Sequence, residues 1–194
     1  MGLTSFAQKW QIHISHCNLL EIKKYHPNVT AIVNAANVYM RGGGGLDGAI
    51  HKAAGSELLT ELKQLVPDKT QTAQVIITQG YKTGFSHILH VAGPVYSTSN
   101  PDESRRLLEA TYTNIIREAD QLKTIDTLGL ASISTGIYSY PLKDAAPVAI
   151  STIALELSKS EHLKTVIFAM FGKQEYDVFT KAYEQWKQKH EKDL

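Results

Sequence analysis

The chain has 194 residues, of which 43% are hydrophobic and 20% are charged, as is typical of a globular protein with its own core. Lys and Arg number 20 against 19 Asp and Glu, and this formal charge of +1 gives no global basic field for nucleic acid or an anionic membrane. The single cysteine, Cys17, excludes an intramolecular disulfide framework and a multi-cysteine zinc site. The start, MGLTSFAQKWQ, has no long apolar core and no run is long enough to cross a bilayer, so we expect a cytoplasmic protein.

Short β-rich runs alternate with longer segments of helical period, which indicates an α/β layer fold. Strands are predicted at residues 11–15, 31–34, 74–78, 87–92, 127–132 and 165–170. Helices are predicted near 46–54 and 56–66, from Pro101 with Asn100 as N-cap, at 141–157, and at the C-terminal stripe of Tyr176, Phe179, Tyr183 and Trp186. Most strands are apolar nearly throughout, as in a largely parallel sheet covered on both faces. No linker or repeat interrupts the pattern, so we predict one domain over residues 1–194.

The stretch AIVNAANVYMRGGGGLDGAIHKAAG, residues 31–55, places four glycines between a predicted strand and a predicted helix. Consecutive glycines can turn several backbone N–H groups toward one point, and the helix N-terminus behind them adds partial positive charge. A phosphate is therefore the expected ligand, ahead of a merely flexible connector. The letters GGGLDG fit a dinucleotide fingerprint, but AANVYMR separates them from the strand, and no Lys-Ser or Lys-Thr follows as a P-loop requires.

A second loop, SISTGIYSYP at residues 132–141, also joins a predicted strand to a predicted helix. Ser134, Thr135 and Gly136 offer hydroxyl and N–H groups, while Tyr138 and Tyr140 offer aromatic faces against which a sugar can pack. Loops at strand-to-helix junctions of a largely parallel sheet lie at the same edge of that sheet. Two phosphate-binding loops at one edge suggest a diphosphate-linked ligand.

Polar residues surround the glycines. Asn34 and Asn37 end an apolar strand, where each can either tie down the loop or hydrogen-bond sugar hydroxyls. Asp47 gains roughly 0.3–1 kcal/mol from the helix dipole, but a phosphate at about 4 Å would repel it by on the order of 4 kcal/mol. We therefore expect Asp47 to serve chemistry, such as orienting or deprotonating a water. His51, on the same helical face, could hold Asp47, relay a proton or be structural.

Histidine pairs elsewhere do not indicate a metal. His13 and His16 lie three residues apart on one predicted strand, and His87 and His90 on another, so the members of each pair point to opposite faces. Cys17 is expected to be a small buried side chain. We expect neither a metal nor a cofactor.

The chain closely resembles a macrodomain of the MacroD-like class. The matching segments, in the family's order, are AIVNAAN, GGGGLDGAIHKAAG, HILHVAGPVY and STGIYSYP, and the match runs from about Gln11 to the last helix. The resemblance implies a three-layer α/β/α fold with a mixed, largely parallel central sheet. It also implies that the ligand is ADP-ribose, a diphosphate-linked nucleotide sugar.

The resemblance implies a role for each matching position. Asp47 is similar to the aspartate of members that remove ADP-ribose from acidic side chains or acetyl from O-acetyl-ADP-ribose, and Asn37 is similar to the asparagine that contacts the distal ribose. With His51 they form the predicted catalytic set, while Phe171 resembles the aromatic residue that stacks on adenine. The predicted ligand-binding set is Asn34, Ala35, Ala36, Gly43, Gly44, Gly45, Leu46, Ser134, Thr135, Gly136, Ile137, Tyr138, Phe171 and His16.

Two positions depart from the family pattern. His16 stands where the family has its adenine-binding aspartate, so adenine is held by His16, by Asn18 or by backbone alone. Ser139 stands where a glycine is usual, which predicts a stiffer or reshaped second loop.

The predicted function is metal-free hydrolysis that removes mono-ADP-ribose from modified aspartate or glutamate and acetyl from O-acetyl-ADP-ribose. The alternatives are a reader that binds ADP-ribose marks without cleaving them, a phosphatase acting on ADP-ribose 1″-phosphate, and a binder of RNA or poly(ADP-ribose). We expect a monomer whose partners are ADP-ribose, ADP-ribosylated proteins and O-acetyl-ADP-ribose. Neither a membrane nor a nucleic acid is expected as a partner.

Overall fold

The computed structural model describes residues 9–190, so both ends of the predicted domain, including most of the N-terminal segment considered above, lie outside that range. The strands are β1 (Gln11–His16), β2 (Ala31–Ala35), β3 (Val75–Gln79), β4 (His87–Val91), β5 (Thr127–Leu130) and β6 (Thr165–Met170). The helices are α1 (Gly45–Ala54), α2 (Ser56–Leu65), α3 (Pro101–Gln121), α4 (Leu142–Lys159) and α5 (Lys173–His190). Two short 3-10 helices, Leu19–Lys24 and Tyr81–Thr83, were not predicted.

The strands form one mixed sheet in the order β1-β6-β5-β2-β4-β3. All neighbouring pairs are parallel except β3, which runs antiparallel to β4 at the edge of the sheet. The carboxyl ends of the five parallel strands therefore lie at one edge, where ligands bind in open α/β sheets. The predicted mixed, largely parallel sheet is confirmed.

Helices cover both faces of the sheet. On one face α1 and α2 pack in a buried cluster that contains Ile32 and Ile88 of the sheet and Leu58 and Leu62 of α2. The other face carries a larger cluster, formed by the sheet with α3, α4 and α5, whose largest members are Tyr112, Phe168 and Phe179. The alternation of side chains along each strand sends neighbouring residues to the two layers. The predicted three-layer α/β/α fold is confirmed.

Local sequence patterns predicted the positions of the long helices correctly. The Asn100 side chain accepts a hydrogen bond from the Glu103 backbone N–H at the start of α3, as the N-cap prediction requires. In the α5 stripe Phe179 is fully buried, while Tyr176, Tyr183 and Trp186 are partly buried against the same core. Within residues 9–190 no helix has the length and apolar character needed to cross a membrane.

Candidate functional site

A cleft of about 640 Å³ opens at the carboxyl edge of the sheet. Its walls come from the loops that follow β1, β2, β4, β5 and β6 and from the first turn of α1. The predicted site residues that line it are Ala35, Ala36, Asn37, Gly43, Gly44, Gly45, Leu46, Asp47, Ser134, Thr135, Gly136, Ile137, Tyr138 and Phe171. Most of the residues singled out from the sequence are thus brought together around one space.

Glycine has a physical reason at two positions of the glycine loop, residues 42–45, and at Gly48 behind it. Gly42 and Gly45 have positive φ angles of 84° and 57°, a conformation that side chains rarely adopt. At Gly48, the fourth residue of α1, a Cβ would collide with the carbonyl oxygen of Gly43, so the helix packs directly against the loop. A Cβ on Gly44 would meet no atom within 4 Å, which shows that its backbone borders the cleft without an intervening side chain.

The serine loop, residues 132–138, forms the opposite wall. Ser134 has a φ of 68°, and its buried hydroxyl has no hydrogen-bond partner among the residues described. Ser132 and Thr135 hydrogen-bond through their hydroxyl oxygens at 2.7 Å. Ile137, at 96% exposure, projects almost entirely into solvent at the rim. The loop thus borders the cleft, while the Ser134 hydroxyl is buried against Gly93.

Two tyrosines of the second loop have different environments. Tyr138 lines the cleft, and burial raises the pKa of its hydroxyl, with a smaller contribution from Asp47. Tyr140 is instead buried beside Tyr96, with ring centroids 4.8 Å apart. The prediction that Tyr140 offers a face to a sugar is therefore wrong, because the chain turns inward to begin α4.

Ser139 adopts the left-handed conformation, with a φ of 61°. Its backbone N–H donates to the Gly136 carbonyl at 3.0 Å and so closes the turn. A serine at such an angle carries a steric cost that glycine avoids. The loop keeps the backbone path of a glycine turn although a serine occupies the position.

Asp47 is buried in the first turn of α1 with its two carboxylate oxygens in different surroundings. Oδ1 accepts a hydrogen bond of 2.8 Å from the Asn34 carboxamide. Oδ2 lies on the side of the cleft, 3.6 Å from where a Cβ on Gly43 would stand. Burial raises the pKa of Asp47, against the opposing effects of the Asn34 hydrogen bond and the charge of His51. One oxygen is thus anchored while the other is available for proton transfer.

His51 lies behind Asp47 and does not line the cleft. Its Nε2 is 3.4 Å from Asp47 Oδ1, but the geometry makes no hydrogen bond, and within residues 9–190 this buried nitrogen has no hydrogen-bond partner. The predicted proximity to Asp47 is therefore observed, and the His51 ring also packs against the glycine loop, 3.4 Å from where a Cβ on Gly42 would stand.

Asn37 combines the two roles that its sequence position left open. Its Oδ1 accepts from the Tyr39 N–H at 3.0 Å, and its Nδ2 donates to the Gly42 carbonyl at 3.3 Å, so it ties the loop together. It also lines the cleft, with Nδ2 3.9 Å from the place of a Cβ on Gly43. Asn37 and Asp47 therefore converge on the same point of the glycine loop.

Asn34 is a correction to the predicted ligand-binding set. Its side chain is fully buried and donates to Asp47 at 2.8 Å and to His90 Nδ1 at 3.1 Å. The strand alternation points Asn34 under α1 rather than into the cleft. Asn34 is therefore placed to hold the aspartate and not to touch a ligand.

The position of His16 also differs from the prediction. His16 is exposed, stacks on Tyr176 with ring centroids 5.3 Å apart, and is not among the residues lining the cleft. Asn18, two residues later, does line it, as does Glu175 of α5 beside Phe171. Of the two side chains considered for adenine, Asn18 is the one that lines the cleft, and its Oδ1 already accepts a hydrogen bond of 3.0 Å from the Leu20 N–H. Sequence reasoning missed Glu175, because a single acid in a first helical turn gives no signal of a binding role.

Among the described residues no group of three or more His, Cys, Asp and Glu side chains is arranged to hold a metal ion. Cys17 is buried and carries a free thiol.

Comparison with known proteins identifies the family. The Macro domain family model matches residues 33–149. A macro domain-containing protein of Chlorobaculum tepidum is 41% identical over 154 residues, which cover 79% of this chain and 87% of that protein. The solved Trypanosoma brucei macrodomain in complex with ADP-ribose superposes with a TM-score of 0.77 at 31% identity, covering 88% of this chain and 68% of that one. The chain therefore belongs to the macro domain family.

A further relative has a named activity. The ADP-ribose glycohydrolase MACROD2 of Xenopus laevis is 36% identical over 152 residues, 78% of this chain but only 36% of that longer protein.

Proposed function

We propose that this macrodomain binds ADP-ribose in the cleft and hydrolyses acyl esters of its distal ribose. The substrates proposed are proteins mono-ADP-ribosylated on aspartate or glutamate and O-acetyl-ADP-ribose. The solved relative that holds ADP-ribose and the relative named as an ADP-ribose glycohydrolase support this choice. The residues of the cleft support the same function through their chemistry.

The two loops suit a diphosphate. In this proposal the glycine loop and the serine loop donate backbone N–H groups to the two phosphates from opposite sides, with the positive end of the α1 dipole behind one of them. Phe171, 76% exposed at one end of the cleft, stacks on adenine. Asn37 and Asp47 meet the distal ribose at the other end.

The observation that carries the hydrolase proposal is the state of Asp47. A buried carboxylate beside a phosphate-binding loop weakens anion binding, so a protein that only reads ADP-ribose gains nothing from it. One oxygen is fixed by Asn34, the other borders the cleft, and the raised pKa makes the group a better base than an ordinary aspartate.

In the proposed reaction Asp47 Oδ2 takes a proton from a water while the water oxygen bonds to the distal ribose C1″. The bond between C1″ and the ester oxygen breaks, and the carboxylate of the modified side chain leaves with the electron pair. For O-acetyl-ADP-ribose the water oxygen bonds to the acetyl carbonyl carbon instead, and the ribose oxygen leaves and takes up the proton. No step requires an oxidant, a reductant or a metal.

A panel of three substrates tests the function. Wild-type protein is incubated with a glutamate-modified protein, with O-acetyl-ADP-ribose and with ADP-ribose 1″-phosphate, and ADP-ribose binding is measured by calorimetry. The proposal predicts turnover of the two esters above any release of phosphate. Binding with all three substrates intact would establish a reader, and phosphate release alone would establish the phosphatase.

A further inference from the structure

A buried chain of hydrogen bonds leads from the far edge of the sheet to Asp47. It joins Thr78 on β3, His90 on β4, Asn34 on β2 and Asp47 on α1. Asn34 and His90 are register partners across the β2–β4 pair, and Thr78 lies diagonally from His90 across the β4–β3 pair. Register thus places the three side chains in a row on the face covered by α1.

The protons in this chain of hydrogen bonds can be assigned by starting from Thr78. Thr78 has one hydroxyl proton and donates it to the Gln79 carbonyl at 3.0 Å, so its oxygen accepts from His90 Nε2 at 2.9 Å. His90 is neutral, because burial lowers its pKa to about 3, and a neutral imidazole carries one proton. With that proton on Nε2, Nδ1 is left as an acceptor.

The bare Nδ1 fixes the orientation of Asn34. It accepts one N–H of the carboxamide at 3.1 Å, and the second N–H of the same amino group points at Asp47 Oδ1 at 2.8 Å. If the carboxamide turned over, its oxygen would face two acceptors at once. Both acceptors therefore require the amino end of Asn34, and His90 supplies the second hydrogen bond that holds the carboxamide in this orientation.

We infer that His90 is a positioning residue, which through Asn34 holds Asp47 as an anchored carboxylate with its other oxygen toward the cleft. The catalytic part of this inference rests on the proposed hydrolase function. The hydrogen bond from Asn34 lowers the pKa of Asp47 against the effect of burial, so losing it raises that pKa. The other titratable groups near Asp47 are His51 on its own helix and Tyr138 on the serine loop.

Two substitutions at position 90 distinguish the roles of the two ring nitrogens of His90. In His90→Asn the side-chain oxygen can occupy the place of Nδ1 and still accept from Asn34. His90→Gln reaches the place of Nε2 and leaves no acceptor at Nδ1. Both variants lose the imidazole and its buried volume, so each is the control for the other.

The expected results concern the pH profile as well as the rate. For His90→Gln the acidic limb of the kcat/KM profile on a glutamate-modified substrate moves to higher pH. At a given pH on that limb, kcat/KM falls about tenfold for each unit by which the pKa of Asp47 rises. The calorimetric Kd for ADP-ribose stays at the wild-type value. His90→Asn retains the wild-type limb. A wild-type limb in His90→Gln, or equal shifts in the two variants, overturns the inference.

Thr78→Val gives a second route if position 90 does not tolerate change. It removes the acceptor of Nε2 while keeping the side-chain shape, and Thr111→Val is the matched control, since Thr111 is also buried but donates within α3. Thr78→Val is expected to shift the acidic limb in the same direction as His90→Gln, and Thr111→Val to leave it in place. Identical limbs in both valine variants contradict the assignment.

The inference can be tested without turnover. Nitrogen-15 labelling of histidine reports which ring nitrogen of His90 carries the proton, and carbon-13 labelling reports the titration of Asp47 in wild type and His90→Gln. A bare Nδ1 and a raised Asp47 pKa in the variant support the positioning role even if no ester is hydrolysed. A protonated Nδ1, or an unchanged Asp47 titration, overturns it whatever the activity.

Discussion

The buried His90 makes the stability of the fold depend on pH in a way that can be calculated. Burial lowers its pKa from 6.5 to about 3. Between these two values the unfolded chain binds a proton that the folded protein excludes. The stability associated with neutral His90 is therefore complete above about pH 6.5 and is lost as the pH falls toward 3.

The magnitude follows from the two pKa values. Each unit of pH inside this window costs about 1.4 kcal/mol. Going from pH 7 to pH 5 should therefore lower the free energy of unfolding by about 2 kcal/mol through His90 alone.

Urea titrations at pH 7, 6 and 5, followed by tryptophan fluorescence, measure this effect in wild type and in His90→Asn. Other groups also contribute to the pH dependence of stability, notably His26, whose pKa burial lowers, and Asp47, whose pKa burial raises. Both proteins retain those groups, so the difference between their slopes isolates His90. His13→Asn is the control for removing a histidine from the surface.

We expect the loss of stability between pH 7 and pH 5 to be about 2 kcal/mol smaller in His90→Asn than in wild type. The variant should be less stable at pH 7 because it loses packing, but its curve should be flatter. Parallel curves would show that the folded protein binds a proton at His90 as readily as the unfolded chain does, and would refute the proton assignment along the buried hydrogen bonds.

Two further predictions concern the loops of the cleft. Gly48→Ala places a methyl group against the Gly43 carbonyl oxygen and should cost about 1–3 kcal/mol of unfolding free energy, whereas Gly44→Ala, with open space at its Cβ, should leave stability unchanged and weaken ADP-ribose binding in calorimetry. Equal affinity in Gly44→Ala and wild type would remove the case for backbone contact with phosphate. Ser139→Gly should stabilise the fold by roughly 0.5–1 kcal/mol in urea titrations by relieving a positive φ. The control Ser151→Gly, at an exposed position in the middle of α4, should destabilise it; the same sign in both would contradict the strain argument.

The strands and helices could be predicted because their signals are local. The cap at Asn100 lies within one helical turn and the apolar stripe of α5 within about three, and both were confirmed. β5 ends at Leu130, two residues before the predicted end, because the chain leaves the sheet there to form the serine loop. The two 3-10 helices were missed because segments this short have no periodicity.

The cleft was predictable where glycines and small polar residues shape the loops. The glycine loop and the serine loop both line the cleft, as their composition indicated. Asn34 was misassigned because the sequence does not reveal that α1 covers its end of the strand. His90 was considered only as half of a metal pair, because its contact with Asn34 depends on strand register, which joins residues far apart in the chain.

The central claim is that Asp47 performs chemistry, and Asp47→Asn tests it most directly. The replacement keeps the shape of the side chain and an oxygen that can accept from Asn34, but it cannot take a proton from water. Release of ADP-ribose from a glutamate-modified protein is measured with calorimetric binding of ADP-ribose to the same samples. The account predicts a loss of about 10²–10⁴ in kcat with ADP-ribose bound as tightly as in wild type or more tightly. Turnover at the wild-type rate in Asp47→Asn would contradict it.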